Sequence, residues 1–117
     1  MADVTDRIAA FHAALSEGLF DECADFVDPA IPFGRDGIVA SLREFAAAAG
    51  PFALELEILR VYSPPSKLYG DCRFARGSSF LSFPDGRTLR AAESWVERGG
   101  AWYTRATGLI FTLSQTP

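Results

Sequence analysis

The stretch Phe83-Pro84-Asp85-Gly86-Arg87-Thr88-Leu89-Arg90-Ala91-Ala92-Glu93-Ser94-Trp95-Val96-Glu97-Arg98-Gly99-Gly100-Ala101-Trp102-Tyr103, running on to Phe111, decides the fold. It reads as two hairpins sharing a middle strand, residues 88–97. Pro84-Asp85-Gly86 is a three-residue hairpin signal: Pro presets the first turn residue, Asp tolerates the second, and Gly takes the left-handed position. Across that turn Phe83 pairs with Arg87, Leu81 with Leu89, Ser79 with Ala91 and Gly77 with Glu93. At the far end a three-residue loop, Arg98-Gly99-Gly100, sets Trp95 against Tyr103 and Glu93 against Arg105. A two-residue loop at Gly99-Gly100 instead shifts the last strand by one residue and separates Arg105 from Glu93.

With the three-residue loop, one sheet face carries Leu81, Leu89, Ala91, Glu93, Trp95, Tyr103, Arg105, Leu109 and Phe111. This is the more apolar face, which assigns it to the helices. The opposite face carries Phe80, Arg90, Ala92, Ser94, Val96, Trp102, Thr104, Ala106 and Ile110. Phe80, Val96, Trp102 and Ile110 are too apolar for a fully wet surface, so a sheet-to-sheet homodimer is expected.

Upstream of the hairpins the period is helical. Val4, Ile8, Phe11 and Leu15 form one stripe in a helix capped by Asp3 or Thr5 and ended by Gly18. A second helix, residues 20–27, stops at Asp28-Pro29, because the residue before Pro is pushed out of helical geometry. After an extended piece over 30–33, Gly34-Arg35-Asp36-Gly37 leads into a third helix, residues 38–49. Beyond Gly50-Pro51 the period becomes twofold, with a strand over 52–62 and a long one over 68–83, kinked near Gly77. The fold class is therefore α+β: three N-terminal helices packed on the concave face of a curved, mixed or antiparallel sheet.

At 117 residues the chain reads as one domain, 1–117. Its net charge of -4 comes without a basic stripe that could neutralise phosphates, which argues against nucleic acid as a partner. The N-terminus is acidic and lacks an apolar core, and the apolar run over 45–54 is broken by Gly50-Pro51. Neither a signal peptide nor a membrane span is read, and the expected location is cytoplasmic. Cys23 and Cys72 then read as reduced thiols. Ten Phe beside one Met favour a shaped core or pocket.

Phe11-His12-Ala13-Ala14-Leu15-Ser16-Glu17-Gly18 with Phe20-Asp21, Gly34-Arg35-Asp36-Gly37-Ile38, Asp85-Gly86-Arg87 and Glu93-Ser94-Trp95 together carry a resemblance. In this order, over essentially the whole chain, the sequence resembles the nuclear transport factor 2-like superfamily, in its SnoaL-like and ketosteroid-isomerase-like branch. The resemblance implies a cone-shaped roll enclosing an apolar pocket, commonly dimeric through its sheet. Steroid-isomerase-like members carry a Tyr on the first helix, where Phe11 stands here. Their general-base Asp falls near Phe33 or Gly34, with Asp28 and Asp36 displaced from it. Their second acid matches Glu93. Epoxide-hydrolase-like members need an Arg two residues before that acid, and Ala91 stands there.

Glu93 is the leading candidate. A carboxyl on an apolar concave face, walled by Trp95 and Leu15, has its charged form disfavoured and its pKa raised, which suits a general acid or base. Equally, Arg105 could neutralise it as a buried structural pair. His12, one residue beside the apolar stripe, reads either as a proton-transfer residue or as a rim histidine. Without a second His no metal is expected, and no cofactor. Pocket lining is assigned to Phe11, Leu15, Phe33, Tyr62, Ser79, Trp95 and Tyr103. The expected partner is a small, largely hydrophobic molecule. Three readings stand: a pocket protein without chemistry, a cofactor-free acid–base enzyme (isomerase, cyclase, dehydratase or epoxide hydrolase type) using Glu93 with Arg105 or His12, and a homodimerisation or assembly module.

Overall fold

In a computed structural model the described residues are 3–31, 34–63 and 72–115. Helix α1 (Val4–Ser16) starts where the Asp3 carboxylate accepts the Val4 N–H at 2.8 Å. It ends at Gly18, whose φ of +74° lets Leu19 N–H turn back to the Ala14 carbonyl. Helix α2 (Phe20–Cys23) runs straight into a 3₁₀ turn, Ala24–Phe26, so the second expected helix is tighter at its end. Helix α3 (Gly34–Ala49) begins already at Gly34, and buries Ile38, Val39, Leu42 and Ala46.

Four antiparallel strands follow, β1 (Ala53–Tyr62), β2 (Phe74–Ser82), β3 (Thr88–Arg98) and β4 (Ala101–Thr104), in the order β1-β2-β3-β4. A last helix, α4 (Thr107–Ser114), closes the described chain. The fold is α+β, helices packed against a curved sheet. The β2–β3 register pairs Leu81 with Leu89, Ser79 with Ala91 and Gly77 with Glu93, as the Pro-Asp-Gly turn demands. The core on the helix-facing side gathers Ile8, Phe11 and Leu15 from α1, Leu42 from α3, and Leu81, Ala91 and Trp95 from the sheet. Phe11 and Trp95 meet edge to face, with ring centroids 5.6 Å apart.

Three expectations are corrected. The irregularity placed at Gly77 lies on the neighbouring strand, between Leu56 and Ile58. Next to it β1 runs close over Gly77, where a Cβ would lie 1.8 Å from the Ile58 carbonyl oxygen. Second, Arg98 pairs with Ala101, Val96 with Tyr103 and Trp95 with Thr104. Gly99 and Gly100 both adopt positive φ, +56° and +82°, the backbone of a two-residue type I′ turn, so the three-residue loop does not form. The shift turns Trp102 and Thr104 inward and Tyr103 outward.

Third, the last strand does not reach Phe111. It stops at Thr104, whose hydroxyl accepts the Ala106 N–H at 3.0 Å, and Ala106 turns the chain through a left-handed φ of +57°. Leu109 and Leu113, four residues apart, then bury one side of α4. The helix lies along β3, with Gly108 against the Ala92 backbone and the Thr112 hydroxyl 3.5 Å from the Arg90 carbonyl. It covers an edge that a longer β4 would have paired. Phe111, expected on the concave face, is 66% exposed.

Candidate functional site

Glu93 and His12 are brought together from β3 and α1. Glu93 follows Ala91 and precedes Trp95 on the inward face of β3, and His12 follows Ile8 by one helical turn on the inward face of α1. His12 Nε2 lies 2.5 Å from Glu93 Oε1. The Ser79 hydroxyl donates to the same oxygen at 2.7 Å, and the Trp95 indole N–H donates to Oε2 at 2.8 Å. A carboxylate can only accept, so His12 carries its proton on Nε2. Glu93 is 8% exposed, His12 5%, Trp95 1% and Ser79 fully enclosed.

This corrects the electrostatic expectation. Burial pushes the Glu93 carboxyl up, as the apolar face suggested. The hydrogen bond and electrostatic attraction of His12, with the donors on Trp95 and Ser79, outweigh burial and hold it below its ordinary value. Arg105 takes no part, because the register shift carries it away. Its Nε lies 3.8 Å from Asp28 Oδ2, in a separate network where Arg98 binds Asp28 at 2.9 and 3.2 Å. Burial also works against the charge of Asp28, and here Arg98, the Ala30 N–H and Arg105 together lower its pKa.

His12 of the buried pair also lines a surface cleft. Thr5, Ala9, His12, Ala13 and Ser16 of α1 face Ala53, Leu54, Glu55 and Leu56 of β1 across a cleft of about 340 Å³. His12 Nδ1 has no hydrogen-bond partner among the described residues, and no fully buried side-chain nitrogen or oxygen among them lacks one. Nδ1 is therefore not fully buried. The imidazole spans from a fixed carboxylate to an open, mainly apolar cleft, an arrangement in which Nδ1 is a hydrogen-bond and proton acceptor.

The remaining sequence candidates divide. Phe11 and Leu15 are buried beside the pair. Tyr62 lies on the outward face at the end of β1, its ring stacked on Phe74. Tyr103 is also outward, for the register reason given above. Phe33 lies outside the described residues. Sequence reasoning named His12 as a helper to Glu93 but did not place the two in direct contact; the i, i+4 spacing from Ile8 to His12 was the signal that could have done so. Buried Asp28 was missed as well, since a carboxylate before Pro shows no periodicity. Among the described residues no group of three or more His, Cys, Asp or Glu could hold a metal, and both cysteines are free. Cys23 is enclosed; burial, with Glu22 nearby, pushes its thiol up to about 11. No described helix is long and apolar enough to cross a membrane.

No family model matches the chain and no curated protein sequence matches it. Solved structures do. Aln2 from a Streptomyces species aligns with a TM-score of 0.61 at 15% identity, covering 87% of this chain and 82% of that one. A protein from Catenulispora acidiphila aligns with a TM-score of 0.60 at 22% identity, over 87% and 84%. A putative calcium/calmodulin dependent protein kinase II association domain from Xanthomonas campestris aligns with 0.54 at 17%, over 86% and 79%. At these identities the likeness is one of fold alone.

Proposed function

We propose that this chain, nuclear transport factor 2-like in fold, is a small-molecule pocket protein of the SnoaL-like and ketosteroid-isomerase-like branch. Its ligand enters the cleft between α1 and β1. One observation carries the reading: His12, held through Nε2 by a buried carboxylate, lines that cleft. Leu54, Leu56, Ala9 and Ala13 suit an apolar body, and Nδ1 suits a single hydroxyl on it. A naphthol is a fitting probe. It is expected to bind the wild-type chain and quench the fluorescence of Trp95, which touches Glu93. Leu54→Trp fills the cleft and should abolish binding while the melting temperature is kept. Equal binding by the two proteins, or none by either, sinks the reading.

A second reading is acid–base catalysis, favoured by the same carboxylate–imidazole geometry. Here His12, not Glu93, exchanges the proton. Nδ1 takes it from the substrate, and the Glu93 carboxylate stabilises the imidazolium that forms. Glu93 is then a positioning residue, its two oxygens already occupied by three donors. In a screened isomerase or dehydratase reaction, His12→Gln should abolish turnover and Glu93→Gln should shift the acid limb of the pH–rate profile. Turnover that survives His12→Gln rules out this chemistry.

A further inference from the structure

A second polar cluster lies on the far side of α1. Arg7 is two positions beyond the cleft-lining Thr5, about 200° round the helix, and so points away from the cleft. Four guanidiniums gather where Val27 bridges Thr104 on β4. Arg7 donates to the carbonyls of Trp102 and Asp25, Arg35 donates through Nε to the Val27 carbonyl, and Arg98 binds both oxygens of Asp28. Arg105 stands 3.8 Å from Asp28. The outward ring of Tyr103 lies under two of them, with Arg7 at 5.9 Å and Arg35 at 5.7 Å from its centroid.

The charges in this cluster do not balance. Among the described residues Asp28 is the one carboxylate in ion-pairing range of these four cations, and Arg98 already takes up both its oxygens. Asp25 contributes only a backbone carbonyl. Arg35 spends Nε alone, and Arg105, whose side chain is 53% exposed, makes no side-chain hydrogen bond among the described residues. Both forks therefore keep their terminal N–H groups unspent, and both are anchored to adjacent residues, Val27 and Asp28. A chain of net charge -4 that concentrates free guanidinium donors at one edge is built to receive an anion there. Planar forks match the oxygens of phosphate.

We propose that Arg35 and Arg105, with Tyr103 as a platform, form a binding site for the phosphate group of a small molecule, separate from the His12 cleft. The test is isothermal titration calorimetry on the full chain at low, constant ionic strength, with inorganic pyrophosphate and adenosine diphosphate as probes. The wild-type chain is expected to give saturable one-site heat. Arg35→Gln and Arg105→Gln should each weaken binding about tenfold, equivalent to about 1.4 kcal/mol. Arg60→Gln, on the outer sheet face, should leave it unchanged. Arg105→Gln keeps the test valid if Arg35→Gln fails to fold, since Arg105 is exposed and anchors no backbone group. Tighter binding of adenosine diphosphate would assign the phosphate to a larger molecule, and tighter binding of pyrophosphate to the free anion. No saturable heat with either probe, or equal loss in Arg60→Gln and Arg105→Gln, overturns the site.

Discussion

A carboxyl enclosed on an apolar sheet face is expected to keep its proton, because burial disfavours charge. Glu93 goes the other way, since three donors converge on its two oxygens. Replacing it by Gln leaves one acceptor oxygen and adds an N–H₂ group where donors already point. At least one buried donor is then orphaned, and Glu93→Gln is expected to lower unfolding stability by about 2 kcal/mol at neutral pH, measured by urea denaturation. The carboxyl itself was legible, because strict alternation along 88–97 put it beside Trp95. Its donors were not. They come from residues 12 and 79, and no local pattern joins those positions to 93.

Among the secondary elements, the two turns flanking β3 behaved differently because their chemistry differs. Pro84-Asp85-Gly86 admits one geometry, and the β2–β3 register was readable from it. Arg98-Gly99-Gly100 admits two, and the positive φ of both glycines selects the shorter loop. Gly77→Ala is expected to destabilise by about 3 kcal/mol, because its Cβ would collide with the β1 backbone, which cannot swing aside as a side chain would. Gly108→Ala tests α4. Helix propensity favours Ala by about 1 kcal/mol, whereas a Cβ at 2.6 Å from the Ala92 oxygen is overpacking worth about 1–3 kcal/mol. A net loss in melting temperature is the expected outcome. A gain would mean that α4 is not seated on β3.

For the assembled chain, the outer sheet face carries a different apolar set from the one the sequence suggested. Trp102 is turned inward, Ile110 belongs to α4, and Val96 is already covered, whereas Ile58, Tyr62, Phe74, Phe80, Ala92 and Tyr103 lie on that face. The sheet-to-sheet homodimer remains a proposal, and a monomer by light scattering at micromolar concentration would falsify it. Acid should unfold the protein through Glu93 and Asp28 together. Both carboxyls sit below their ordinary values of 4.5 and 3.8, so their stabilisation is complete above those values. It is lost as pH falls through them toward the lower folded values. The melting temperature should therefore hold steady through neutral pH and drop below about pH 4.5, with a shallower drop in Asp28→Asn.

Sequence alone determined the elements whose signals are local. Apolar spacing of three and four residues made α1 and α3, twofold alternation made β1 and β3, and the Pro-Asp-Gly turn set the register that places Glu93 opposite Gly77. Tertiary structure decided what depends on contacts between distant segments. The run over 107–114 alternates well enough for a strand and also carries the four-residue spacing of a helix. Burial of Leu109 and Leu113 along the uncovered edge of β3 chose the helix. In the same way, one residue of register removed Arg105 from Glu93, and α1 delivered His12 in its place. Side chains on one sheet face repeat every second residue, so a shift of one exchanges every partner, and only packing against the helices tells the two registers apart.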